Sequence, residues 1–190
     1  MMKKLALAAL VASAAIASPA MAQDVTGTVV INGNVKDKCF VLPNTGNTFS
    51  TTVEMEELAA ADGTLKASAD LAAKFGSAGG TGLQARVLCT SANPDVSVTA
   101  SPLVNLAPAD AGYDNTVDYT ADVTFTLVNS GSQIVSDDSA IAASSDATLT
   151  GRLNGTGTNI SIATSAWNAN GVLVAGDYTG QIVVVVSPGA

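Results

Sequence analysis

Few side chains in this chain could carry out chemistry, and the most concentrated are three glutamates. Glu54, Glu56 and Glu57 could supply a carboxylate pair of the kind used in glycoside hydrolysis. They form a local acidic run, however, and a solvated acidic face explains that run better. The chain has no histidine, which removes Ser-His-Asp triads, histidine general bases and most zinc sites. The sequence therefore predicts a protein that is not an enzyme and that uses no metal or other cofactor.

The first 22 residues have the three parts of a secretory signal peptide. Two early lysines give a basic start, Leu5–Ile16 is an apolar stretch, and Ala20-Met21-Ala22 is a small-x-small cleavage motif. We expect cleavage between Ala22 and Gln23. The apolar stretch is too short to cross a bilayer, so we expect no stable membrane insertion.

The two cysteines, Cys39 and Cys89, allow one intramolecular pairing. Because an exported chain meets an oxidising compartment, we expect them to form a disulfide, and free thiols are the alternative. The bridge would close a loop of about 50 residues, which the chain-entropy model values at about 4 kcal/mol of stability.

The charge balance argues against several partners. Without Lys3 and Lys4, the mature chain has 6 basic residues against 16 acidic ones, a formal charge of −10. Nucleic acids and anionic membrane surfaces both need clustered Lys and Arg. We therefore expect no nucleic-acid partner.

Short apolar runs separated by turn residues predict an all-β sandwich or barrel. The predicted strands are Val25–Val35, Lys38–Leu42, Leu83–Cys89, Val96–Ala100, Val117–Val128, Thr148–Leu153, Ile160–Thr164 and Tyr178–Val186. One segment differs, because Val53–Phe75 is rich in Glu, Ala and Leu and favours one or two helical turns. A mobile loop is the alternative there, and Gly76–Gly80 after it is expected to be a flexible hinge.

The mature N-terminus is an alternating segment with no obvious strand partner nearby. One parity, and therefore one face of an extended chain, carries five small or apolar residues: Val25, Gly27, Val29, Ile31 and Gly33. At the other end of the chain, Ile182–Val186 is apolar on both parities, which predicts a strand covered on both faces.

Three patches resemble archaic chaperone–usher pilins with the spore coat protein U domain. The first is the alternating segment Val25–Val35 followed by Cys39. The second is Gly82–Cys89, which resembles the strand that carries the second cysteine of that family. The third is Ala175–Gly180 before the valine-rich terminal strand. The ending Ser187-Pro188-Gly189-Ala190 departs from the family, whose members usually close on an alternating strand with a terminal aromatic.

The resemblance implies an incomplete immunoglobulin-like β-sandwich that lacks its final strand and leaves a hydrophobic groove. A periplasmic chaperone fills the groove first, and at the outer-membrane usher the N-terminal segment of another pilin subunit replaces it. The donor-strand residues would then be Val25, Gly27, Val29, Ile31 and Gly33. The strand that flanks the groove would carry Tyr178, Ile182, Val184 and Val186.

These patterns predict three parts: a signal peptide at 1–22, an N-terminal donor-strand extension at 23–38 and a pilin-like β-sandwich domain at 39–190. The predicted function is a structural subunit of a pilus or fimbria on the surface of a Gram-negative bacterium, supporting adhesion or biofilm formation. The alternative is a monomeric secreted β-sandwich that binds a carbohydrate or protein ligand. In that case Asp24–Val35 would pair within its own domain, and Trp167 and Tyr113 could line a sugar site.

Overall fold

The structure is a computed structural model that describes residues 29–42, 49–128 and 131–189. The chain divides into two units, Met1–Asn34 and Val35–Ala190, and the second unit contains all the strands and the helix described below.

The described part of Val35–Ala190 is built mainly of β-strands, with one α-helix between the first two strands. In chain order the elements are β1 Cys39–Leu42, α1 Ser68–Gly79, β2 Gln84–Cys89, β3 Asp95–Val104, β4 Tyr113–Asp114, β5 Thr116–Thr126, β6 Ser132–Asp138, β7 Ser145–Thr148, β8 Ile160–Asn168, β9 Val172–Leu173 and β10 Thr179–Ser187. The predicted all-β fold with a small helical insert is confirmed.

Eight strands form one curled antiparallel sheet in the order β1-β2-β8-β5-β3-β10, and β6 and β7 branch from β5 and β3. Strand β5 joins the two parts of the sheet, because its first residues pair with the end of β3 while the rest pairs with β8 and β6. Strands β4 and β9 form a separate parallel pair.

Period-two alternation builds the core, as β5 shows most clearly. Every second residue of β5 is buried while the intervening Thr and Asp side chains are partly exposed. The buried residues are Val117, Tyr119, Ala121, Val123 and Phe125. They belong to one hydrophobic cluster with the inward side chains of β3, β8 and α1.

The helix corrects the expected hinge at Gly76–Gly80. Helix α1 runs through to Gly79, and a short 3-10 turn, Gly80–Leu83, follows it. Residues 53–67 are not helical. Leu71 and Phe75 are buried, and α1 packs on β8. This packing stabilises a helix that includes Gly76 and Gly79, two residues of low helix propensity.

The strand predictions were least accurate between β5 and β8. The expected strand Thr148–Leu153 is displaced to β7, and β4, β6 and β9 were not predicted. Strand β6 alternates correctly, but one of its two buried residues is Asp137 and its Ile134 is 61% exposed. A hydrophobic pattern cannot identify a strand whose core face carries a carboxylate.

Candidate strand-binding edge

The last strand, β10, lies at one end of the sheet. It pairs antiparallel with β3 from Thr179 opposite Val104 to Ser187 opposite Asp95, and it has no strand partner on its other edge among the described residues. Its bounds confirm the predicted terminal strand within one residue at each end. An unpaired edge presents a row of backbone N–H and C=O groups to any further strand.

The side chains along this edge are only partly covered. Directly opposed residues of an antiparallel pair share a face of the sheet, so the core-facing residues of the two strands can be compared position by position. On β3 they are 3%, 0% and 4% exposed: Val96, Val98 and Ala100. Their partners on β10 pack against the same core but are only half-buried: Val186, Val184 and Ile182. The core is therefore open along β10.

The outer face of β10 corrects a prediction. The apolar run was expected to be covered on both faces, yet Val183 and Val185 are 40% and 51% exposed. They lie on the opposite parity from the half-buried row and therefore face away from the core. Among the described strands β10 pairs only with β3, so fewer neighbouring side chains cover its residues than cover those of a central strand.

Strand β1 lies at the other end of the strand path and carries the first cysteine. It pairs with β2, with Cys39 opposite Cys89, and the predicted disulfide between these residues is confirmed. Within the described residues β1 has no second strand partner. Cys39 and Val41 share a parity and pack, partly buried, against the core.

The start of β10 is held by Tyr178, which lies one residue before the strand. The Tyr178 hydroxyl donates to the backbone oxygens of Val174 (2.9 Å) and Asp114 (3.0 Å). Burial raises the pKa of the Tyr178 hydroxyl. This residue therefore anchors the start of β10, and its side chain is partly buried against the core.

A second tyrosine joins β10 to the centre of the core. The Tyr119 hydroxyl on β5 donates to the Gln181 carbonyl at 3.1 Å. Burial, with a smaller contribution from the negative charge of Asp137, raises the pKa of Tyr119 to about 12. Two tyrosines thus fix the first residues of β10.

Two buried polar side chains satisfy the backbone where strands change partners. Between the β7 and β5 pairings of β3, the Asp137 carboxylate accepts the backbone N–H of Ala100 at 2.7 Å. Beyond the pairing of β2 with β8, Asn159 accepts from Val87 N–H (2.9 Å) and donates to the Val87 carbonyl (2.6 Å). The sequence analysis did not identify Asp137 or Asn159. The one signal for them is a polar residue at a position where the alternation of the strand predicts a buried apolar side chain.

The predicted donor segment is described in part. Val25, Gly27 and the cleavage site at Ala22 and Gln23 lie outside the described residues. Val29–Val35 is not part of a strand, and Val29 and Ile31 are 86% and 90% exposed. Gly33 has no atom within 4 Å of the place where a Cβ would stand. The two large apolar side chains of this face that the structure describes, Val29 and Ile31, are therefore exposed.

The residues considered for catalysis have structural contacts. The Glu56 carboxylate pairs with Lys74 at 2.7 Å, and the Lys74 hydrogen bond and charge lower the pKa of Glu56. Glu57 accepts the backbone N–H of Ala59 at 2.9 Å. Neither arrangement brings two carboxylates together around a cleft. No group of three potential metal ligands occurs within the described ranges.

The aromatic residues considered for sugar binding do not form a platform. Trp167 is 6% exposed and stacks on Tyr119 with ring centroids 4.9 Å apart. It lines a shallow surface depression with Gly112 and Asn170, but its ring is part of the core. Tyr113 is 55% exposed in β4. A sugar would need an exposed ring face, which Trp167 does not offer.

Comparison with known proteins does not assign the chain to a family. No protein-family model matches the chain, and no curated protein matches its sequence. Among the described residues, no helix is both long and apolar enough to cross a membrane. The disulfide is of the kind that forms in an oxidising compartment.

Proposed function

We propose that the chain is a structural subunit of a surface fibre, a pilus or fimbria, whose copies are joined by donor-strand exchange. In this fibre the segment Val25–Gly33 of one copy lies along β10 of another copy and completes its sheet. Such strand addition derives affinity from backbone hydrogen bonds and register from alternate side chains.

The observation that carries the proposal is the contrast between the two neighbouring strands at the edge. The core-facing row of β3 is buried, whereas the matching row of β10, at Ile182, Val184 and Val186, is half-buried. It lies beside a backbone edge that no described strand pairs with. One further strand with small and apolar side chains on one face would cover both the row and the edge.

The chain itself carries a segment of this kind. Val25, Val29 and Ile31 share one parity, and burying each stabilises the complex by about 1.5–3 kcal/mol, or roughly 5–8 kcal/mol together. Gly27 and Gly33 on the same parity permit a close approach to the groove floor. Val29 and Ile31 are exposed in the single chain, so the free energy of burying them is available to stabilise the contact between two copies.

Donation from copy to copy makes a head-to-tail contact that repeats. Each copy offers a donor segment and, along β10, the edge that receives it, and these are different surfaces, so the interface is heterologous. Such a contact extends into a fibre when its rotation does not close a ring. This geometry supports a homopolymer.

An open apolar edge also supports an assisted assembly pathway. Unpaired apolar edges pair with other chains and aggregate, so a subunit of this kind needs temporary cover before it polymerises. We propose that a periplasmic chaperone lends that cover and that an outer-membrane usher exchanges it for the next subunit. The predicted signal peptide and the disulfide support export through the periplasm to the surface of a Gram-negative cell, where the fibre would support adhesion or biofilm formation.

The proposal is tested with two aspartate substitutions at adjacent positions of opposite parity. In the mature chain Gln23–Ala190, Ile31→Asp places a charge on the donor face, whereas Asn32→Asp places the same charge on the other face. We expect Ile31→Asp to abolish assembly into polymers, measured by size-exclusion chromatography and electron microscopy, and Asn32→Asp to preserve it. Equal assembly of the two variants would contradict the proposal.

A second experiment separates donation from self-pairing. Deletion of Gln23–Val35 should leave a protein that no longer polymerises but binds a synthetic peptide of residues Asp24–Val35. Produced with and without a periplasmic chaperone, the deleted chain should depend on the chaperone for yield. A stable monomer that does not bind the peptide would rule out donor-strand exchange and favour the monomeric ligand-binding protein.

A further inference from the structure

The two ends of the β-sheet carry opposite charge. We call the acidic end the surface formed by five carboxylates where β10 and β5 begin: Asp110, Asp114, Asp118, Asp138 and Asp177. We call the basic end the surface formed by three cations where β1 begins and β5 ends: Lys36, Lys38 and Arg152.

Several contacts bring the acidic end together. Asp118 lies close enough to Asp138 and Asp114 that burial and then these two negative charges raise the pKa of its carboxyl. Asp177 precedes Tyr178, whose hydroxyl donates to the Asp114 carbonyl. The backbone carbonyl of Asp110 accepts the backbone N–H of Tyr113, next to Asp114 in the chain. The side chain of Asp110 is exposed.

Thr90 brings the basic end together. Its hydroxyl donates to the Lys36 carbonyl and accepts the backbone N–H of Lys38, and its own carbonyl accepts the Arg152 guanidinium at 2.5 Å. The ammonium groups of Lys36 and Lys38 are left exposed. Asp37 and Asp95 offset part of this positive charge. Attraction between two copies therefore depends on the difference in charge between the basic end and the acidic end.

The two ends are far apart because β5 runs between them. Asp114 and Asp118 flank the first residues of β5, whereas the Arg152 carbonyl accepts the N–H of Val128 just beyond its last residue. Eleven residues of strand span about 33 Å at the usual rise. The ends therefore cannot neutralise each other within one copy.

Each end also exposes large apolar side chains beside its charges. At the acidic end, Leu106 is 96% and Tyr113 55% exposed. At the basic end, Val35 is 75% exposed and precedes Lys36 in the chain. Val128 is 47% exposed, and its backbone N–H donates to the Arg152 carbonyl. Apolar side chains rimmed by charge are typical of protein–protein contact surfaces.

We propose that the basic end of one copy docks on the acidic end of the copy that accepts its donor strand. The inference rests on the proposed function and adds a second contact surface to it. Asn34–Lys38 joins the donor segment to β1, and five residues span at most about 18 Å. The folded part of the donating copy must therefore lie directly beside the end of the groove where its donor segment finishes.

The charges also select the direction of the donor strand. If the donor runs antiparallel to β10, its last residue lies at the start of β10, which is the acidic end, and the donating copy presents its basic end there. If the donor runs parallel, the two basic ends face each other. Opposite charges steer association and like charges oppose it, so the docked ends require the antiparallel arrangement.

A charge-swap experiment on the full mature chain tests this contact. Lys36→Glu with Lys38→Glu makes both ends acidic, and Asp110→Lys with Asp177→Lys weakens the acidic end; none of these four side chains makes a described hydrogen bond. We expect each pair to slow assembly about tenfold at about 50 mM salt. The four-site variant keeps the native net charge and faces its two new glutamates with two new lysines, so it should assemble at least about threefold faster than the Lys36→Glu/Lys38→Glu pair. At about 500 mM salt the differences should disappear.

Peptide binding distinguishes failure of this contact from failure of donor-strand exchange. The Asp24–Val35 peptide carries no folded end, so it should bind equally to all these chains in an Ile31→Asp background, where the chain's own donor is impaired. If the peptide binds but no pair changes the assembly rate and salt has no effect, end-to-end docking is overturned while strand donation stands. If the peptide binds none of the chains and none assembles, both proposals fail.

Discussion

Val184 of β10 lies directly opposite Val98 of β3, on the same face of the same ladder, but the two valines are not equally covered. Val98 is 0% exposed, whereas Val184 is half-buried although it packs against the same core. The difference arises because, in the part of the chain that the structure describes, β3 has strands on both sides and β10 has a strand on one side. This pair locates the position where a further strand would complete the core.

Aspartate at Val184 should therefore block assembly, and aspartate at Val183 should not. Val184→Asp puts a carboxylate into the row that a donor strand would cover, which should weaken donor binding by at least about 2 kcal/mol. Val183 is its neighbour on the exposed face, so Val183→Asp is the matched control. Binding of the Asp24–Val35 peptide, measured by fluorescence anisotropy, checks both. Similar affinities for the two variants would mean that the inner row is not the binding surface.

Removal of the disulfide should destabilise the folded chain strongly. The bridge joins residues 50 positions apart, so replacing both Cys39 and Cys89 by serine should lower the free energy of unfolding by about 4 kcal/mol. Urea denaturation of the oxidised chain and the double variant measures the difference. A loss below about 1 kcal/mol would show that the β1–β2 pairing is stable without its covalent link.

Asn159→Ala should be costly although it removes only one amide. The side chain makes hydrogen bonds to the N–H and the carbonyl of Val87 and to the carbonyl of Asn154, and it is 1% exposed. Its loss leaves buried backbone groups without partners, at about 1–3 kcal/mol each. Asn168→Ala, at the exposed last residue of β8, should change stability by less than about 0.5 kcal/mol. Equal urea midpoints would contradict the proposed role of Asn159.

Stability should fall in alkali because of Tyr119. Its pKa is raised to about 12, whereas an unfolded tyrosine titrates at about 10. Below pH about 10 both states keep the proton; as the pH rises toward 12 the unfolded chain loses it first, so the free energy of unfolding decreases by roughly 2–3 kcal/mol. Tyr119→Phe should remove this part of the slope, and the exposed Tyr113→Phe should not. Parallel pH profiles for the two variants would exclude Tyr119 as the cause.

The parts of the fold that follow a regular pattern could be predicted. Strand β5 alternates over eleven residues, and the presence of just two cysteines in a chain expected to be exported indicated the bridge between Cys39 and Cys89. The helix boundary was misplaced because burial of Leu71 and Phe75 on β8 extends α1 through glycines that favour a hinge. Strand β6 was missed because Asp137 occupies a core position to accept a hydrogen bond from β3, and that need is visible only when the strands are together.

By itself, the sequence determined the all-β class, the disulfide, the terminal strand and the absence of histidine chemistry, because composition and period-two alternation are local properties. The tertiary structure decided which face and edge of the valine run are covered. That outcome depends on the number of strands beside β10, which no local pattern records. It also placed Lys36, Lys38 and Arg152 at one end of the sheet and five aspartates at the other. Residues distant in the chain meet there only because antiparallel pairing brings strand ends together.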